Sequence, residues 1–162
     1  MIQRIQTLYL FLVVALGITL CFVPVLQFDT PVNADMQRMW ELSAMGFKDV
    51  MPVEGAAPVQ LQGLAGLLVI TILIPLLALV DIFLYSKRLL QARLNIFTIL
   101  LCLGYYGVLG IYIWLATTVI EGVEWHILPW ASIPLVCFIL TSMATRAILK
   151  DEALVRAADR IR

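Results

Sequence analysis

The sequence predicts an all-α integral membrane protein with four transmembrane helices, and three observations lead to this fold class. Hydrophobic residues make up 62% of the 162 residues and the mean hydropathy is +0.99, well above the composition of soluble chains. Four apolar stretches reach the length of about 20 residues that a helix needs to cross a hydrocarbon core about 30 Å thick. Basic residues fall almost entirely on one side of these stretches.

The predicted spans run from about 7 to 26, 61 to 84, 94 to 119 and 127 to 145. Helices are expected because lipid offers no partner for backbone N–H and C=O groups. Length and flanking residues define the spans, since helices that are apolar all round show no amphipathic stripe. The first span is too long for a signal-peptide core, and Pro24 with a polar segment separates it from any cleavage site.

The basic residues orient the chain by the positive-inside rule. Nine of them are predicted on the cytoplasmic side and two, Arg38 and Lys48, on the opposite side. The nine are Arg4, Lys87, Arg88, Arg93, Arg146, Lys150, Arg156, Arg160 and Arg162. Both termini are therefore expected in the cytoplasm.

One larger outer loop, 27–60, separates helices 1 and 2, and its apolar middle is predicted to form a short helix or a hairpin lying on the bundle. Residues 121–126 are expected to form a tight turn. Residues 146–162 are predicted to continue helix 4 as a cytoplasmic tail, since Glu152 and Arg156 form a favourable i,i+4 pair. The whole chain, 1–162, is thus a single transmembrane domain.

Two terminal segments resemble a known family. The start MIQRIQTLYLFLVVAL and the end KDEALVRAADRIR, with the RLN that opens helix 3, are similar to bacterial four-span membrane proteins known only as a domain of unknown function. The resemblance covers essentially the whole chain and is weakest in the outer loop. It implies the inner membrane of Gram-negative bacteria and no established activity, so no catalytic residues are carried over.

Asp81 is the one acidic residue within a predicted span, and intramembrane carboxylates suggest a proton or cation relay. We favour structural pairing with Arg88, Arg93 or Arg146 near the cytoplasmic interface, because a relay normally needs more than one buried titratable group. Pro75 frees the carbonyl of Thr71 and is expected to kink helix 2, and Pro134 is expected to kink helix 4. Such kinks are ordinary in membrane bundles.

Gly104, Gly107 and Gly110 recur every three residues in helix 3. Small residues let helix backbones approach closely in lipid. We interpret these glycines as a groove for another helix, preferably of this chain and otherwise of a partner.

No residue pattern specifies an enzyme or a cofactor. His126 is the sole histidine, and the sequence lacks a CxxC pair, HExxH, GxSxG or a phosphate-binding loop. We therefore expect no catalytic, cofactor or metal site, and the balanced charge gives no indication of nucleic acid.

The leading hypothesis is a non-catalytic inner-membrane protein, either an accessory subunit or a scaffold. Its partners would be the lipid bilayer and other membrane proteins or further copies of the chain. Candidate partner-binding residues are Trp40 and Phe47, expected to be exposed on the outer loop, and Arg156 and Arg160 in the tail. The alternative is a small oligomeric transporter or channel using Asp81, although beyond Thr71, Asn95, Thr98 and Thr141 few polar residues lie in the spans.

Overall fold

The computed structural model describes residues 2–33, 36–50, 65–84, 87–119 and 122–159. The predictions made for residues 51–64, for Glu121 and for 160–162, which include Arg160, lie outside this set. The described elements, in chain order, are α1 (Ile2–Phe22), β1 (Pro24–Asn33), β2 (Met36–Ser43), β3 (Gly46–Asp49), α2 (Ala65–Phe83), α3 (Arg88–Val119), β4 (Glu124–Ile127), a 3-10 helix (Pro129–Ser132) and α4 (Ile133–Asp159).

The four α-helices are each long and apolar enough to cross a membrane. They form a bundle in which each helix packs against two neighbours, in the cyclic order α1, α2, α3, α4. We call the end of the bundle that holds the start of α1 and the end of α4 the termini side, and the opposite end the sheet side. The 32 residues of α3 span about 48 Å at 1.5 Å per residue, so this helix is longer than a hydrocarbon core.

The buried residues of the bundle follow a spacing of alternately three and four residues along every helix. This is the repeat of helices that pack with a slight left-handed supercoil. The rows are Gln6, Leu10, Val13, Gly17 and Leu20 on α1; Leu67, Thr71, Ile74, Ala78 and Asp81 on α2; Gln91, Asn95, Thr98, Cys102, Tyr105, Leu109, Tyr112 and Ala116 on α3; and Cys137, Thr141, Ala144 and Ile148 on α4. Small and polar side chains thus occupy much of the interior, while many large apolar ones face outward.

A four-stranded antiparallel sheet covers the sheet side, in the order β3-β2-β1-β4. The prediction of an all-α fold is therefore wrong in this part of the chain, and the hairpin alternative for the outer loop is correct. The strand β4 comes from the connection between α3 and α4, where a tight turn was expected. It pairs with β1 from Leu26 opposite Ile127 to Asp29 opposite Glu124. The sheet consequently ties the connection between α1 and α2 to the connection between α3 and α4.

Two helix ends on the sheet side differ from the predicted spans, and on the termini side α3 begins at Arg88 instead of about residue 94. The helix α1 ends at Phe22, and the residues from Leu26 to Thr30 alternate between buried and half-buried positions as a strand does. The helix α4 begins at Ile133, which places Pro134 in the first helical turn. A proline there removes no helical hydrogen bond, so the expected kink at Pro134 has no cause.

The inner face of the sheet is a small hydrophobic core. The ring centroids of Phe28 and Trp40 lie 5.7 Å apart, and Phe47 packs against both, at 6.0 and 6.1 Å. Trp40 is 2% exposed and Phe47 is half-buried. The expectation that Trp40 and Phe47 are exposed for a partner is therefore wrong, because the strand register places them on the covered face of the sheet.

A close approach between helices joins α1 and α2 at Gly17 and Pro75. Gly17 faces Pro75, and a Cβ atom built on Gly17 would lie 2.9 Å from both Cβ and Cδ of the proline. This separation is shorter than carbon atoms tolerate at contact. Pro75, which is buried, therefore serves as a packing surface that only glycine can meet on the facing helix.

This contact predicts that Gly17→Ala lowers stability. The added methyl group overpacks the α1–α2 contact, which costs about 1–3 kcal/mol. Alanine gains about 1 kcal/mol over glycine in helix propensity, so the overpacking cost exceeds this gain over most of its range. Gly107→Ala is the matched control, because a Cβ there meets nothing within 4 Å. Thermal unfolding in detergent should show a lower midpoint for Gly17→Ala than for Gly107→Ala, and equal midpoints would contradict the assignment.

Candidate functional site

Polar side chains lie in the buried rows on the termini side of the bundle. They come from α1, α2 and α3, and all are nearly inaccessible to solvent. They are Gln6, Asp81, Gln91, Asn95 and Thr98. Buried polar groups in proteins are normally hydrogen-bonded. A buried polar side chain without a hydrogen-bond partner therefore needs an explanation other than packing.

Asp81 has no such explanation among the described residues. Its side chain is 1% exposed, and neither carboxylate oxygen has a hydrogen-bond partner. The expected ion pair with Arg93 or Arg146 is not formed, since both arginines are exposed on the outside of the bundle. The third expected partner, Arg88, has a side chain outside the described set. The position of Asp81 on the buried row of α2 turns it inward, away from the interface where pairing was expected.

Asn95 lies beside Asp81 on the adjacent helix α3. Its side chain is also 1% exposed, and its amide is close enough to interact with the carboxylate. The arrangement is not that of formed hydrogen bonds, because the amide nitrogen and the amide oxygen are both unpartnered. Asp81 and Asn95 thus bring four unsatisfied polar atoms together inside the bundle.

Gln91 behaves differently from this pair. Its Nε2 atom donates a hydrogen bond to the backbone carbonyl of Asp81, at 3.2 Å, and its backbone N–H donates to Lys87, at 3.0 Å. The same Asp81 carbonyl also accepts from the N–H of Leu84. Gln91 therefore fastens the end of α2 to the start of α3 and fixes the height of the Asp81 side chain.

The buried hydroxyl groups divide into two kinds. Thr71, Thr98 and Thr145 each donate to the carbonyl four residues earlier, at 2.8 to 3.1 Å. For Thr71 this acceptor is Leu67, so its hydroxyl stays within its own turn beside Pro75. By contrast, the hydroxyls of Tyr105 and Thr141 are buried without a partner. Both lie in buried rows, between the Asp81 region and the sheet side.

The three glycines of α3 do not form a groove for another helix of this chain. Gly104, Gly107 and Gly110 are exposed, and a Cβ atom on any of them would meet nothing within 4 Å. The interpretation as an intramolecular contact is wrong because the buried row of α3 runs along a different face, through Cys102, Tyr105 and Leu109. We call the exposed surface of these three glycines the open face of α3.

An apolar groove of about 590 Å³ adjoins the open face at Gly110. It lies between α3, β4, the 3-10 helix and the start of α4, and its lining includes Leu26, Tyr106, Ile127 and Leu135. The hydroxyl of Tyr106 donates to the carbonyl of Ala131, at 2.9 Å, and accepts from the N–H of Leu135, at 3.0 Å. This side chain therefore holds the start of α4 against α3 and forms one wall of the groove.

The remaining candidate residues show no site. In the part of the chain that the structure describes, no group of three or more His, Cys, Asp or Glu residues could hold a metal ion. His126 lies 3.4 Å from Asp29 on the outer face of the sheet. Arg156 belongs to α4, and its side chain is outside the described set.

Sequence reasoning singled out Asp81 but missed its link to Asn95 and Gln91. The available signal was the spacing of polar residues in α3, where Gln91, Asn95 and Thr98 follow the same three-and-four repeat as Cys102 and Tyr105. In a helix that is otherwise apolar all round, polar residues at this spacing mark the face that turns away from lipid.

The comparisons with known proteins give a family and no named relative. No curated protein matches the chain. A family model matches nearly the full length of the sequence, from residue 2 to residue 161. The four membrane-length helices, the sheet and the polar cluster described above all fall within this match. The chain therefore belongs to the family described as Domain of unknown function (DUF4293).

Proposed function

We propose that this protein is a small oligomeric transporter or channel for protons or small cations in a bacterial inner membrane, with Asp81 as the ion-binding group. The observation that carries the proposal is the pair of unpartnered carboxylate oxygens on a side chain that is 1% exposed. This reverses the preference drawn from the sequence, which depended on ion pairing for Asp81 and on exposed Trp40 and Phe47.

The energetic argument concerns the cost of a buried charge. An ionised carboxylate without a partner costs several kcal/mol when it is removed from water. The presence of Asp81 at this position is therefore not explained by a contribution to the stability of the fold. Such a residue inside a membrane domain is by default a functional group. A bound proton or cation removes the charge, so the site is suited to loading and unloading an ion.

A line of polar side chains along the bundle interior, which we call the route, favours transport over simple ion binding. From Asn95 the buried row of α3 continues through Thr98 and Cys102 to the unpartnered hydroxyl of Tyr105. Ten residues of helix correspond to about 15 Å, which is half of a hydrocarbon core. Thr141 adds a second unpartnered hydroxyl from α4. These side chains offer an ion more than one polar group to bind between the termini side and the sheet side.

The orientation is part of the same proposal. The nine-to-two distribution of basic residues supports an orientation with the termini side in the cytoplasm and the sheet outside. Asp81 would then be reached from the cytoplasm, and the sheet would cover the opposite end of the route.

A second candidate function is the accessory subunit or scaffold, without catalytic activity or a cofactor. The open face of α3 favours it, because exposed glycines allow a helix from another chain to approach closely. The adjoining groove at Gly110 enlarges the same surface. This candidate needs no ion at Asp81, so the two functions separate experimentally.

The orientation predicts which cysteine substitutions react with an impermeant thiol reagent in cells whose outer membrane has been removed. Lys48→Cys and Glu124→Cys lie at exposed positions of the sheet and should react. Ala153→Cys, exposed near the end of α4, should react only after the membrane is opened. The three native cysteines are first replaced. Labelling of Ala153→Cys alone in intact cells would reverse the orientation.

The transport proposal predicts ion movement in proteoliposomes. With a membrane potential imposed, vesicles holding the wild-type protein should take up protons or sodium faster than empty vesicles, as followed by internal dyes for each ion. Asp81→Asn, which keeps the shape but removes the charge, should reduce the rate to that of empty vesicles. Glu124→Gln removes an exposed carboxylate and should leave the rate unchanged. A wild-type rate equal to that of empty vesicles would refute transport.

The accessory-subunit candidate predicts that Gly107→Leu disrupts assembly without affecting insertion. A leucine side chain would hold a neighbouring chain away from the open face of α3, whereas leucine is favourable in lipid. Gly66→Leu adds the same side chain at an exposed position of α2, where a Cβ atom also meets nothing within 4 Å, and is the control. Gel filtration in mild detergent should show a smaller particle for Gly107→Leu alone, and an unchanged particle would rule out this face.

A further inference from the structure

We propose that the site formed by Asp81 and Asn95 takes a proton and not a metal cation. This inference rests on the proposed function, because it names the ion that the site would carry. It is drawn from the number and type of free polar atoms around the carboxylate, which differ for the two kinds of ion.

The free atoms match one added proton. A protonated carboxyl group has one O–H donor and one C=O acceptor, and an amide side chain has an acceptor oxygen and an NH₂ donor. The four unpartnered atoms of the pair are the two carboxylate oxygens of Asp81 and the Oδ1 and Nδ2 atoms of Asn95. With a proton on Asp81, the acid donates to the amide oxygen and accepts from the amide nitrogen. A small adjustment of the two side chains then satisfies all four atoms.

A metal cation lacks ligands at this position. Hard cations take six or more oxygen ligands, and the unpartnered oxygens of the pair number three. Membrane sites for Na⁺ recruit backbone carbonyls from unwound helices, whereas α3 is continuous beside Asn95 and Asp81 lies in the last helical turn of α2, which ends at Phe83. The carbonyls of Val80, Asp81 and Leu84 at the end of α2 already accept hydrogen bonds.

The surrounding charges do not replace the proton. On the described part of α3, the charged group nearest in sequence is Arg93, which is exposed. Lys87, before α3, and Arg146 and Lys150, on α4, are exposed as well. Asp151 and Glu152, on α4, are half-buried, but their charge has the same sign as that of Asp81 and does not neutralise it. On α1 the titratable group at this end with a described side chain is Tyr9, which is half-buried. The side chains of Arg4 and Arg88 are outside the described set, and neither Asp81 oxygen has a hydrogen-bond partner.

Infrared spectroscopy of the full-length protein in lipid vesicles tests the proposal, because a protonated carboxyl group has its own carbonyl stretching band. The difference spectrum between wild type and Asp81→Asn should contain this band at neutral pH, and the band should weaken at alkaline pH. Replacing choline by Na⁺, K⁺ or Mg²⁺ at constant pH and ionic strength should leave it unchanged. Asn95→Leu should shift the band to higher wavenumber, because the acid loses its amide partner. Glu124→Gln should not shift it.

Two results would overturn the inference. One is the absence of an acid band at neutral pH in folded wild-type protein. The other is loss of the band on adding a metal cation at constant pH, which would assign the site to that cation. The proposed function fails separately, through absence of ion flux in proteoliposomes. An acid band without flux would leave a proton site in a protein that does not transport.

Discussion

The bundle depends on a constraint that lipid imposes on helix packing. Large apolar side chains gain nothing by leaving lipid for the protein interior, so helices associate through close contact and hydrogen bonds. Here the interior positions accordingly hold Gly17 against Pro75 and a series of threonines bonded within their own helices. Large side chains such as Phe11 and Leu100 point outward. The same constraint makes each buried polar atom without a partner costly, because neither lipid nor water satisfies it.

The sheet follows the opposite rule, which applies in water. Its aromatic core of Phe28, Trp40 and Phe47 is held by the burial of apolar area. The other face carries a polar arrangement in which Gln27 donates to Asp29, at 3.2 Å, and His126 lies beside the same carboxylate. A sheet that joins β1 to β4 fixes the distance between the end of α1 and the start of α4. The packing of the helices and the pairing of the strands thus both hold the end of α1 and the start of α4 in place.

The sequence was sufficient for the four membrane-length helices, because a requirement of about 20 apolar residues depends only on composition. It was insufficient for the sheet, since segments such as 24–28 are apolar enough to extend a span and their alternation was not used. The environment of Asp81 could not be deduced from its neighbours along the chain. Its row on α2 meets that of Asn95 on α3 only through the bundle geometry, and Arg93 and Arg146 point outward. The exposure of the glycines of α3 likewise depended on which face α4 and α2 cover.

A structural role and an ion-binding role for Asp81 make different demands on its surroundings. A structural carboxylate would be paired, and the fold has the means to pair groups at this height: Gln91 hydrogen-bonds the backbone of Asp81 itself, and Thr98, one turn from Asn95, has its own acceptor. The carboxylate of Asp81 and the amide of Asn95 are left unsatisfied although Gln91 and Thr98 beside them are satisfied, and Nε2 of Gln6 at the same end of the bundle is unpartnered as well. Asparagine or leucine at position 81 would pack a bundle without this cost. An acid at this point is therefore better explained by an ion that comes and goes than by packing.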